Sequence, residues 1–135
     1  MTAVKALVIS ADPALRRQLK VALGTAERRT GERWEYLEAP NGLVGLKLAW
    51  REVPDVVVAD EIASGAGAFA VAKDLRGAAE PFAGAIVLIL ARRQDTWLAE
   101  WSGADAWITK PMDPFALADV VVEQVERRSA RKETV

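Results

Sequence analysis

The run Pro54-Asp55-Val56-Val57-Val58-Ala59-Asp60 constrains this 135-residue chain more than any other segment. Four apolar residues ended abruptly by a carboxylate read as a strand buried on both faces, the pattern of a parallel sheet covered by helices. An acid at the last position falls at the carboxyl edge of such a sheet, where α/β domains bind ligands. Residues 85–90, Ala-Ile-Val-Leu-Ile-Leu, repeat the pattern, and a third strand-like segment ends at Trp107-Ile108-Thr109-Lys110-Pro111. An acid closing one strand and a lysine closing another imply a site for an anion or a phosphoryl group.

The intervening residues supply helices. Residues 6–9 form a short buried strand, after which Asp12-Pro13 opens a helix with a favoured cap and a pre-organised first position. Leu15, Leu19, Ala22 and Leu23 follow helical spacing, and the helix is expected to fray near Gly24. Residues 34–38 are strand-like. Asn41-Gly42 starts a second helix that Pro54 stops, and Trp34 and Trp50 are expected to cover the sheet and this helix. A third helix runs to about residue 77 and a short fourth covers residues 94–102, ended by Gly103. A fifth strand spans about 105–109, and Pro114 opens the last helix, with Leu117, Val121 and Val125 as its stripe. Strands alternating with helices give a three-layer α/β domain with a parallel sheet.

Composition removes several function classes. The chain contains no cysteine and no histidine, so thiolate metal sites, disulfides and Ser-His or Cys-His triads are excluded. The net charge of -1 offers no basic footprint for nucleic acid. No apolar run approaches the roughly 20 residues that cross a bilayer, and no charged-then-apolar leader opens the chain. A cytoplasmic protein is expected. The arginine pairs Arg16-Arg17, Arg28-Arg29, Arg92-Arg93 and Arg127-Arg128 read as solvated charge on helix faces. Gly65-Ala66-Gly67 follows the third strand and lacks a third glycine, which argues against a dinucleotide site.

In order, "WEYLEAPNG" (34–42), "PDVVVAD" (54–60) and "GADAWITKP" (103–111) resemble the second, third and fifth strands of the receiver domain of two-component response regulators, the chemotaxis-regulator type. The matching segments span residues 4 to 128. The resemblance implies a flavodoxin-like (βα)5 fold with strand order 2-1-3-4-5, over residues 1–128, with 129–135 as a polar tail. It also implies Asp60 as phosphoacceptor, Lys110 as the active-site lysine and Trp107 at the switch aromatic position. The family's two metal-binding acids fall at Ser10 and Ala11, its switch hydroxyl at Leu90, and a proline of the following loop at Ser64.

These departures change the expected chemistry. Mg²⁺ takes oxygen ligands, and in phosphoryl transfer it neutralises the equatorial oxygens. With Ser10 and Ala11 in the acid positions, what remains is Asp60, backbone carbonyls and the Ser10 hydroxyl, with two nearby acids as substitutes: Asp12, whose plainer role is a helix cap, and Glu61, whose plainer role is a solvated loop acid. No cofactor is expected, beyond Mg²⁺ held weakly by Asp60 and Asp12. Leu90 cannot hydrogen-bond, which removes part of the drive for a phosphorylation-dependent switch. Asp60 reads either as a phosphoacceptor or as the anionic half of a structural pair with Lys110. Trp97 and Trp101, four apart on the short fourth helix, and Trp107 border the surface of helix four, strand five and helix five, and read as a partner surface or as core filling.

The reading is a non-enzymatic receiver domain with a degenerate pocket (Ser10, Ala11, Asp12, Glu61, Leu90). Its phosphorylation at Asp60 is impaired or absent, and it signals through protein contacts. A sensor histidine kinase or another signalling protein is the expected partner, with homodimerisation through the tryptophan surface as an option and no membrane or nucleic-acid partner. The alternatives are a working phosphoacceptor with a rearranged metal site and a flavodoxin-like ligand-binding module.

Overall fold

The computed structural model describes residues 3–61 and 67–134, without the side chains of 131–134. Strands and helices alternate: β1 Val4–Ile9, α1 Pro13–Thr30, β2 Trp34–Ala39, α2 Gly42–Glu52, β3 Val56–Asp60, α3 Ala68–Gly77, β4 Ala85–Leu90, α4 Thr96–Ser102, β5 Ala106–Thr109 and α5 Pro114–Thr134. A single 3-10 turn, Arg93–Asp95, leads into α4. The five strands pair in parallel in the order β2-β1-β3-β4-β5. Parallel neighbours need a crossover, and the helices provide it.

Every residue of β3 and β4 is buried, as their unbroken apolar runs require. Side chains alternate between two cores because successive residues of a strand face opposite ways. Val8, Val56, Val58, Val87 and Ile89 meet Leu19 and Leu23 of α1 and Leu117 and Val121 of α5. Leu7, Ile9, Val57, Ile86, Leu88 and Leu90 meet Ala49 of α2, Val71 and Leu75 of α3 and Ala99 of α4. Truncating one such residue, for example Leu19→Ala, removes about 2–5 kcal/mol.

The sequence-based boundaries shift in three places. Helix α1 does not fray at Gly24 but continues to Thr30 and stops at Gly31, whose positive φ of 70° lets its N–H return to the carbonyl of Glu27. A mid-helix glycine costs about 1 kcal/mol, and burial of Ala22, Leu23 and Ala26 on either side offsets it. Helix α5 runs to Thr134, through most of the segment expected to be a polar tail. Trp50 is half exposed rather than core, with a T-shaped contact to Phe82. Its helix buries its small side: a Cβ on Gly45 would lie 2.4 Å from Cδ1 of Ile9, so α2 approaches the sheet through glycine and turns Leu43 and Trp50 outward. Among the described residues, no helix is long and apolar enough to cross a membrane.

Candidate functional site

The carboxyl ends of β1, β3 and β5 build the site. Asp60 is the last residue of β3, and its side chain is only 4% exposed. Ile9, the last residue of β1, pairs with Ala59, so Ser10 emerges directly beside Asp60. The Ser10 hydroxyl donates to Oδ2 of Asp60 at 2.8 Å. That hydroxyl also accepts the Asp12 N–H at 3.1 Å, which fixes its direction.

Lys110 comes from two strands away, a separation of about 10 Å in a sheet. It follows Thr109 of β5, and its own N–H continues the ladder to the Leu90 carbonyl at 2.8 Å. The long side chain crosses the end of β4, and Nζ stands 3.0 Å from Oδ1 of Asp60. The Lys110–Pro111 peptide is cis. Both carboxylate oxygens of Asp60 are therefore engaged, one by a hydroxyl and one by an ammonium.

Ala11, Asp12, Asp60 and Lys110 line one open cleft. Asp12 caps α1, its Oδ1 accepting the Ala14 N–H at 2.9 Å. Glu61 is turned away from the cleft and accepts the Ala91 N–H. Its carboxyl is held above its ordinary range, first by burial and then by a hydrogen bond with Asp95. Asp95 is held below its range by that same bond and by Arg92, which pairs with it at 3.2 Å. Leu90 is fully buried in the core on the α3 side, and Trp107, half-buried, packs against the same core. Ser64, with Gly65 and Ala66, lies outside the described residues.

Of the residues singled out from sequence, the fold brings Ser10, Ala11, Asp12, Asp60 and Lys110 together and leaves Glu61 and Leu90 beside the cleft. Trp97 and Trp101 are 65% and 55% exposed on α4. Neither fills the core. The ammonium of Lys73 on α3 lies 4.4 Å from the Trp101 ring centroid.

Two contributors escaped the sequence reading. Arg16, read as solvated, donates to the Ser10 carbonyl at 2.6 Å. Asp95 is buried against Glu61 and Arg92. Arg16 was legible only as the residue one helical turn beyond the Asp12 cap, a position that returns its side chain to the start of the helix.

Two carboxylates of the cleft, Asp60 and Asp12, could hold a divalent ion. Mg²⁺ demands near-octahedral oxygen ligation, usually through one or two carboxylates beside phosphate and water. Here the one buried carboxylate is already neutralised by Lys110, and Asp12 is a second, exposed one. Among the described residues no three acids, histidines or cysteines converge as a metal site would need.

Five parallel strands with a buried acid and a lysine at their carboxyl edge define a flavodoxin-like α/β domain with a charged cleft. An uncharacterized response regulatory protein of Mycobacterium tuberculosis is 30% identical over 124 residues, covering 90% of each chain. A response regulator receiver domain protein from Clostridium thermocellum superposes with a TM-score of 0.79 at 19% identity, over 96% of this chain and 98% of that one. The receiver domain of the sensor histidine kinase PA1611 from Pseudomonas aeruginosa, solved with magnesium coordinated in its active-site cleft, superposes with a TM-score of 0.78 at 12% identity, over 93% and 99%. No family model matches the chain. The chain belongs to the response regulator receiver family of two-component signalling.

Proposed function

We propose that this receiver domain signals through protein–protein contacts and that its Mg²⁺-dependent phosphorylation at Asp60 is impaired or absent. The observation that carries the reading is the hydroxyl of Ser10 at 2.8 Å from Asp60, at the position where the family resemblance places a metal-binding acid. A hydroxyl supplies no charge to hold a divalent ion, and the Ala11 side chain supplies no donor. Lys110 holds the other oxygen of Asp60, so the acid rests as half of an ion pair. Phosphoryl transfer depends on positioning and on electrostatic neutralisation, much of which comes from the metal. The exposed rings of Trp97 and Trp101 support a contact surface on α4 for a histidine kinase, another signalling protein or a second copy.

One observation favours the second reading, a phosphoacceptor that works through a rearranged site: Asp12 lines the same cleft as Asp60 and Lys110. Incubation with acetyl phosphate and Mg²⁺, followed by intact mass with Asp60→Asn as control, separates the two. The first reading expects no phosphoryl adduct over the time in which an ordinary receiver is fully labelled. A stoichiometric adduct that Asp60→Asn abolishes would overturn it.

A further inference from the structure

We infer that Arg16 is a positioning residue for Asp60 and that it acts through Ser10. The inference rests on the reading of Asp60 as the centre of the site and adds the residue that holds its neighbour in place. Ser10 lies one residue past the last paired residue of β1, where the strand ladder no longer fixes the chain. Its N–H still reaches the Ala39 carbonyl at 3.1 Å, but its own carbonyl takes its donor from Nη1 of Arg16 at 2.6 Å.

The other arm of the guanidinium is fixed as well. Nε of Arg16 donates to Oε1 of Glu38 at 3.2 Å, while Lys20 holds Oε2 of Glu38 at 2.8 Å. The Glu38 carboxyl is kept below its ordinary range, chiefly by the bond from Lys20. The Arg16 side chain is only 18% exposed, so it stands between the turn and β2 rather than in solvent. A continuous set of polar contacts thus crosses the sheet edge: Lys20, Glu38, Arg16, Ser10, Asp60, Lys110.

Geometry explains why arginine suits this position. Its planar fork carries diverging donors that can serve a carbonyl and a carboxylate at once, which a lysine ammonium on a flexible stem does less rigidly. With the Ser10 peptide plane held from outside, its hydroxyl is left with one useful arrangement, accepting from Asp12 and donating to Asp60. Without Arg16 the turn is free to rotate and the hydroxyl loses its aim.

A contiguous set of contacts is not yet coupling, which has to be measured. The test is NMR on the full chain, following the Ser10 hydroxyl proton and the side-chain carboxyl carbon of Asp60 in Arg16→Gln, in Ser10→Ala and in the double variant. The Ser10 hydroxyl is expected as a slowly exchanging resonance that is lost in Arg16→Gln and kept in Arg17→Gln. The Asp60 carbon is expected to move in Arg16→Gln and to move at least threefold less when Ser10 is already alanine.

Survival of the hydroxyl signal in Arg16→Gln overturns the inference. So does an equal carbon shift in both backgrounds, because a long-range charge effect would bypass Ser10. Should Arg16→Gln fail to fold, Arg16→Met carries the same expectations. The outcome is separable from the proposed function: ready labelling of Asp60 by acetyl phosphate would refute impaired phosphorylation and leave these resonances unaffected.

Discussion

The sharpest consequence of the site is the sign of the change when the charge on Asp60 is removed. In a pocket that gathers carboxylates, neutralising one relieves repulsion and stabilises the domain. Asp60 instead faces a hydroxyl and an ammonium, so Asp60→Asn should destabilise. At 3.0 Å from Lys110, the bare attraction is about 5.5 kcal/mol at an effective dielectric of 20. Desolvation of the buried acid and solvent screening of Lys110, a third exposed, reduce the net value to that of a charged hydrogen bond, about 1.5–3 kcal/mol. Lys110→Ala should cost about 2–3 kcal/mol, because it leaves a buried carboxylate without its counter-charge. Asp60→Asn should cost about 1–2 kcal/mol, since an amide oxygen can still accept the Ser10 hydroxyl. Urea unfolding of both single variants and the double variant gives a coupling energy that isolates the pair. A coupling below about 0.5 kcal/mol, or any stabilisation by Asp60→Asn, would refute the ion-pair account.

Three further outcomes are expected. Adding Mg²⁺ should leave the unfolding midpoint of the natural sequence unchanged, whereas Ser10→Asp combined with Ala11→Asp should gain about 1.4 kcal/mol once the metal reaches ten times its dissociation constant; equal response of both proteins would show that the acid positions do not govern metal binding. The Glu61–Asp95 pair should give stability a pH optimum. Glu61, raised above 4.5, contributes fully at low pH and loses its contribution as pH rises through its folded value, while Asp95, lowered from 3.8, contributes above that value and loses it as pH falls through its own folded one. Glu61→Gln should abolish the fall on the alkaline side, as read by unfolding free energy against pH, and an unchanged profile would count against the shared bond. Val53, at φ 46° and 60% exposed, holds a left-handed conformation that a β-branched residue adopts at a cost; Val53→Gly should raise stability by about 0.5–1 kcal/mol, and a lower melting temperature would contradict that.

The fold was legible because its strongest signals are also its strongest forces. The runs at 56–60 and 85–90 are the most deeply buried strands, and Asp12, Asn41 and Gly103 cap helices as their chemistry suggests. What periodicity could not show was how closely α2 would approach the sheet through Gly45, and hence that Trp50 would face outward. The site was partly legible. Residues at strand ends announced themselves, but partners from other elements did not. Arg16 and Arg128 stood in pairs that looked like solvent-facing charge, yet Arg16 reaches the Ser10 carbonyl and Arg128 reaches Asp105 at 2.6 Å, where Arg76 and the Ile86 N–H also converge. Long polar side chains bury their stems and carry their charge far from their Cα, so sequence position is a poor guide to where that charge acts.

Fold and chemistry are separately encoded in this domain, and on the proposed reading that separation lets a receiver tolerate such a pocket. The sheet is held by residues up to Ile9, Asp60, Leu90 and Thr109, whereas Ser10, Ala11, Asp12 and Lys110 come after the last ladder pairs. On the proposed reading, serine and alanine in place of acids there leave the strand pairings intact. They also remove a concentration of like charge that a divalent ion would otherwise have to neutralise. Asp60 is the exception, because it belongs both to a buried strand and to the cleft. Burial calls for a counter-charge beside it, and Lys110 provides one. That acid and that lysine therefore contribute to stability through their pairing whether or not a phosphoryl group ever arrives.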